Sequence, residues 1–295
     1  MPGSITPGPV MPGPVTPGPV TPGSAAAWDR LRSAVPSLYP PLPRPARLLP
    51  ASIPSAPVPA PPGPVPAPPA CEVCRGPLRP GYARCYQCAG HDLLGHGLLA
   101  DAVVPVSYAI RGTPLADDLW RYKSGPAPAA SARARVLALL LAFLHDHGAC
   151  VWRHAAMPPP GRFAVVPTGS GRPGLHPLLG LVSPYLRQPA CALAIRPGHQ
   201  GRDLDLDRFR AVRVPAAASV LLLDDTWVSG ASAQSAAAGL KLAGARYVAI
   251  VVLGRHVNPA DPAAAPLLRA LAPARYDPFA CAAHRPEDVN GTNRH

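Results

Sequence analysis

Lysine is nearly missing from this chain: of its 28 basic residues only Lys123 and Lys241 are lysines, and the rest are arginines. Charged residues make up 15% and aromatics 5% of the 295 positions. Long apolar runs are absent too. The longest compact one, Val136–Leu144, is too short to span a bilayer, and no apolar leader segment of the secretory kind is seen, so a cytoplasmic, membrane-free protein is expected. Residues 1–70 hold only five charges (Asp29, Arg30, Arg32, Arg44 and Arg47) against 23 of the 45 prolines. They also lack any alternating or helical apolar pattern that would repay the entropy of folding. Their glycines at 3, 8, 13, 18 and 23 recur every five residues, whereas a collagen triple helix requires Gly at every third. The expectation is a disordered, partly polyproline-II arm over 1–70 and a flexible tail over 286–295.

What remains carries a net charge of +9 out of the total of +12, once four Arg and one Asp of the arm are removed. Arginine suits bidentate contact with phosphate, so phosphorylated ligands and nucleic acid are both admissible partners. Four of the seven cysteines are ordered as Cys71-Glu-Val-Cys74 and Cys85-Tyr-Gln-Cys88. Two such knuckles offer four thiolates to one tetrahedral Zn²⁺, a closed structural site, over a module spanning 71–95. Gly76 and Gly81, in the connecting stretch, mark a tight turn. Cys150, Cys191 and Cys281 lie in or beside apolar segments and read as buried thiols. Cys281-Ala-Ala-His284 offers two metal-ligand types, and two ligands are not a site.

From 96 to 285 strand-like and helix-like segments alternate. Strands are expected at 103–110 (broken by Pro105), 163–166, 190–195, 219–224 and 247–253; helices at 114–122, 132–147, 175–186 and 231–243; and a polar loop from 196 to about 210. Continuous apolar strands separated by helices indicate an α/β fold with a parallel sheet covered on both faces. The most informative segment is Val220–Ser232. A buried strand delivers Asp224 and Asp225 at its C-terminal end, where parallel sheets bind ligands. Thr226, Ser229, Gly230, Ala231 and Ser232 then lead straight into a helix, an arrangement of backbone N–H groups and hydroxyls suited to an anion. Carboxylates beside a phosphate cradle need something else to hold, and sugar hydroxyls or Mg²⁺ meet that need. The residues therefore suggest a ligand with a phosphate beside a ribose diol.

This segment resembles the phosphoribosyl pyrophosphate (PRPP) signature of type I phosphoribosyltransferases. With the two-knuckle module before it and Leu240–Ala245 after the helix, the chain is similar to the ComF (competence) family of phosphoribosyltransferase-like proteins over roughly 71–255. The resemblance implies a type I phosphoribosyltransferase-like domain and a structural zinc, with Mg²⁺ accompanying PRPP. It implies that Asp224 and Asp225 hold the ribose 2′- and 3′-hydroxyls, and that Thr226–Ser232 cradle the 5′-phosphate. Thr168, Gly169, Ser170 and Arg172 would meet pyrophosphate, and the loop 196–210 would close over the ligand. Lys123 matches the lysine that often ends the first helix in such chains. Trp227 and Val228 stand where smaller residues are common, and serines replace the usual threonines. Two activities follow: transfer of phosphoribosyl from PRPP to a nitrogenous acceptor, or a non-catalytic PRPP-fold protein acting in DNA uptake or binding nucleic acid or a metabolite. In the second, Tyr82 and Tyr86 would join the module's arginines in a nucleic-acid surface.

Overall fold

The computed structural model describes residues 70–123, 126–168, 176–199, 201–271 and 281–283. The expected arm and tail, and the pyrophosphate-loop residues Gly169, Ser170 and Arg172, lie outside these. Four strands form one sheet: β1 (Ala102–Ile110), β2 (Arg162–Val165), β5 (Ser219–Trp227) and β6 (Tyr247–Val257). They run in the order β1-β6-β5-β2, and every pairing is parallel. The central strand β6 carries the sheet's longest apolar run, Val248–Leu253, as burial on both faces demands. Pro105 does not break β1, which runs through it with Pro105 opposite Val252. Its ring is tolerated because β1 pairs on one side only, and an edge strand can forgo an N–H.

Residues of β5 alternate between the two sides of the sheet. Leu221 and Leu223 join the core beneath α2 (Pro114–Arg121), α3 (Pro126–His154) and α4 (Pro177–Val182). Val220 and Leu222 join a second core. That core is closed by α5 (Ala231–Leu242), by Phe209, and by Cys71, Cys74 and Cys88 of the cysteine module, which also carries α1 (Tyr86–Leu94). α3 extends well past the expected 132–147. Its stripe Ala132, Val136, Leu139, Leu140, Phe143, His147 and Val151 keeps one helix face buried. Ala129–His154 is long and apolar enough to cross a membrane by length and composition alone. Its buried stripe, packed on β1 and the other helices, is that of a core helix. A 3₁₀ turn (Pro262–Ala264) and α6 (Ala265–Leu271) follow β6 on the same side of the sheet.

The segment expected as a fifth sheet strand behaves differently. Ala190 makes a single parallel bridge to Phe163, and the chain then leaves the sheet. Ala192–Ile195 (β3) instead pairs antiparallel with Phe209–Val212 (β4), a strand the sequence reading placed at the end of a loop. Phe209, only 1% exposed, anchors this hairpin against the second core, so tertiary burial outweighs the polar local sequence. The helix expected over 175–186 is shorter, at Pro177–Val182, and β5 is longer, reaching Trp227.

Candidate functional site

The cysteine module closes first on its backbone. The Cys71 N–H donates to Gly76 O (2.9 Å), and Arg75 N–H donates back to Cys71 O (2.8 Å), which forms the first knuckle. The second knuckle opens α1, where Ala89 N–H donates to Cys85 O. The sulfurs of Cys71, Cys74, Cys85 and Cys88 lie within 4.8 Å of one another, and Cys74 Sγ is 3.8 Å from Cys85 Sγ. Zn–S bonds of ~2.3 Å at tetrahedral angles set sulfurs about 3.8 Å apart, so the four thiols are placed to hold a metal ion such as zinc. Cys71 is held well below the ordinary thiol range, chiefly by the Cys74 thiol, while Cys88 is pushed well above it, chiefly by Cys71. Four crowded thiols do not hold four protons comfortably, and a dication resolves the conflict.

The module is tied to the sheet by Arg255, a residue of β6 that is 7% exposed. Its guanidinium donates to Trp227 O (3.0 Å) and His256 O (2.6 Å). It also fills the space beside Gly76, where an added Cβ would fall 2.1 Å from Nη2. Gly76 is thus required for room and not only for a turn. Tyr108 in β1 donates its hydroxyl to Arg75 O (2.9 Å), a second tie. Nothing in the sequence singled out Arg255. An arginine inside an apolar strand was the available signal.

The acidic pair lies inside β5, so Thr226 is a strand residue opposite Gly254, and the loop proper is Val228–Gly230. Side chains on a strand alternate, and the two carboxylates have separate surroundings. Asp225, 3% exposed, continues the Leu221–Leu223 row. Its Oδ2 accepts the Tyr122 hydroxyl, pairs with the Lys123 ammonium, and lies 3.7 Å from His176 Nε2. His176 caps α4 by accepting Leu178 N–H at Nδ1 (3.1 Å), so its proton sits on Nε2, towards the carboxylate. Burial holds His176 below, and Tyr122 above, their ordinary values; for Tyr122 the Asp225 charge adds to the effect. Lys123, given no role from its sequence position, is therefore the counter-ion of Asp225. Tyr122 and His176 were missed; each reads locally as a helix-end residue.

Asp224 continues the Val220–Leu222 row and is partly exposed. One oxygen accepts Asp225 N–H (2.9 Å). Burial, with the Asp225 carboxylate second, pushes its acid up to about 8. Beyond it, Gly230 caps α5 at φ +85°, and a Cβ there would fall 2.0 Å from the Trp227 ring. Left-handed backbone and ring contact together leave glycine as the fitting residue. Trp227, 1% exposed, packs its ring against Gly230, while Val228 is 61% exposed. Ser229 Oγ accepts Ala231 N–H (3.4 Å). Ser232, in the first turn of α5, meets Arg208, whose Nη1 donates to Ser232 Oγ (3.4 Å) and whose Nη2 donates to Asp203 O. Arg208 is 4% exposed, and its Nε is a buried donor that no protein atom accepts among the described residues. This cation at the start of α5 was also missed, because the sequence places it in a polar loop far from the motif. Asp205 N–H donates to Ser235 Oγ (3.0 Å), so the same loop is tied to α5 twice. Thr168 lies just past the end of β2, half-buried. In the module, Arg84 is taken up by Glu72 (2.5 Å) and Asp92 (2.6 Å), whereas Tyr82 and Tyr86 are exposed. Comparison with family models, with curated proteins and with solved structures finds no match for this chain.

Proposed function

We propose that the protein binds PRPP with Mg²⁺ at the end of β5, as a ComF-like, type I phosphoribosyltransferase-like protein, and transfers the phosphoribosyl group to a nitrogenous acceptor. One observation carries the reading: a partly exposed carboxylate, a tight glycine loop, a helix N-terminus and a buried guanidinium meet at the C-terminal end of a parallel strand. The 5′-phosphate sits against the loop Val228–Ser232, where Arg208 supplies the positive charge that the loop's own sequence lacks. Asp224 accepts a ribose hydroxyl. Asp225, enclosed on the other side of the sheet by Tyr122, Lys123 and His176, fixes the strand end that presents Asp224. Asp224, a partly exposed carboxylate at this end of the strand, would be the residue to hold Mg²⁺, directly or through water. When bound, the ion neutralises charge on the departing pyrophosphate.

In the reaction the C1′–O bond to pyrophosphate breaks and a bond from C1′ to the acceptor nitrogen forms. The protein's part is to fix the ribose and the 5′-phosphate while positive charge develops at C1′. Zinc held by Cys71, Cys74, Cys85 and Cys88 would fix the fold of that module, whose Gly76 packs against Arg255 of β6. The alternative, a nucleic-acid surface on the module, rests on exposed Tyr82 and Tyr86, yet Arg84 beside them is already paired. Calorimetry of the full chain with PRPP and Mg²⁺ decides between the two. Binding that weakens about tenfold (1.4 kcal/mol) in Arg208→Gln and in Asp224→Asn is expected. Absent binding, or binding indifferent to both changes, sinks the proposal. Salt-sensitive affinity for DNA lost in Tyr82→Ala/Tyr86→Ala would favour the alternative.

A further inference from the structure

The three cysteines outside the module were read as buried thiols, and two of them have a neighbour the sequence did not reveal. His147 and Cys150 occupy one face of α3, three residues apart, and Cys281 comes to them from the C-terminal segment. One ligand atom from each lies within 4.8 Å of the other two. We propose that His147, Cys150 and Cys281 form a second metal site, for zinc or a cation of similar softness.

The donor chemistry supports this. Two thiolates and a neutral imidazole balance a dication, so the loaded site carries no net charge into the core that surrounds it. That core is where the site lies: His147 is 5% and Cys281 2% exposed, Ala282 and Ala283 beside them are equally buried, and Cys150 is half-buried. Zinc bonds of about 2.0–2.3 Å need ligand atoms under ~4 Å apart, so the trio closes by less than an ångström or so to take the ion. The imidazole is already held in place by packing, its ring centroid 5.3 Å from that of Phe143 one turn earlier on α3. The turn carrying Cys281 is fixed from its other side, because Arg75 donates to Ala282 O (3.2 Å). Three protein ligands leave one position open to water or a further donor. The site lies on the α3 side of the sheet and shares no residue with the four-cysteine module or the Asp225 cluster. Its physical consequence is a clamp between the C-terminal segment and α3. It stands whether or not the protein binds PRPP.

Metal content of the full-length protein, purified without oxygen and with thiols reduced, tests the proposal together with zinc-edge X-ray absorption. The expected result is two zinc ions per chain, with an average shell of about three sulfurs and one nitrogen or oxygen, since an all-sulfur site and a two-sulfur site are averaged. Cys150→Ser/Cys281→Ser should hold one zinc, with an all-sulfur shell. One zinc per chain with four sulfurs in the unaltered protein overturns the site without recourse to any variant. Two zinc ions retained by the double variant, or a Cys150–Cys281 disulfide found by mass spectrometry in that reduced preparation, overturn it as well.

Discussion

Asp224 and Asp225 are neighbours in sequence, yet the two sides of the sheet treat them in opposite ways. On the side of α2, α3 and α4, Asp225 is enclosed by Tyr122, Lys123 and His176. Nearby Asp118 is held in the same manner by two donors of Arg135. On the side of α5, the hydrogen bond to Asp224 comes from the backbone N–H of Asp225, and the buried cation Arg208 donates to a serine and a carbonyl. One side finishes its electrostatics with its own side chains; the other leaves donors and acceptors for a ligand. The difference separates a carboxylate that fixes the end of a strand from one that can meet a substrate.

Breaking the closed side should have the largest effect. Asp225→Ala strands Lys123 and removes the acceptor of the Tyr122 hydroxyl. A loss of about 4 kcal/mol is expected, as for one partner taken from a buried pair. Denaturant unfolding measures it. Adding Lys123→Met to Asp225→Ala should restore part of the loss, because the ammonium that has lost this carboxylate is then removed as well. No restoration would mean that the pair has little part in holding the strand end.

The open side depends on its glycine. Gly230→Ala would place a Cβ on the Trp227 ring at a left-handed backbone position. About 3 kcal/mol is expected, part from backbone strain and part from overpacking. A thermal midpoint unchanged by this substitution would show that the loop relaxes freely. Tyr122→Phe is milder. It removes one hydrogen bond to a charged acceptor that keeps its lysine, at about 2 kcal/mol, and PRPP affinity should change less than stability does. A larger fall in affinity than in stability would place Tyr122 in the binding site and blur the contrast.

How far the sequence disclosed this arrangement follows from the range of the forces involved. The parallel sheet was legible because strands buried on both faces must be continuously apolar, as in Val220–Leu223 and Val248–Leu253. The four-cysteine cluster was legible because its ligands recur at fixed local spacing. The β3–β4 hairpin was not, since Phe209 is its one fully buried side chain, with Leu193 and Ala211 only partly buried, and its partner strand lies across a polar loop. Arg208, Arg255 and His176 act through contacts with residues distant in sequence, and no local pattern encodes those meetings. Cys281 shows the same limit. His284, three residues along the chain, lies outside the described residues, while the ligand atoms beside Cys281 belong to α3.

The smallest effect sharpens the contrast most, because it reverses in sign with respect to the others. Asp224 titrates near 8 in the folded protein, against 3.8 for an ordinary aspartate, with burial the first cause and the Asp225 charge the second. Between those values the native state keeps a proton that the unfolded chain has released, so stability falls as pH rises through the window, and the cost is complete above about pH 8. Asn cannot ionise. Asp224→Asn should therefore gain on the unaltered protein as pH rises, by about 1 kcal/mol between pH 5 and pH 9, a figure kept low because partial exposure lets water share the cost. Denaturation midpoints at both values measure it, and a gap that stays constant with pH would put Asp224 among the satisfied carboxylates. If Mg²⁺ binds at Asp224 as proposed, it favours the ionised acid, so stabilisation by Mg²⁺ with PRPP should grow with pH more in the unaltered protein than in the variant. A residue that destabilises the empty fold and is relieved by its ligand is what the open side of the sheet implies.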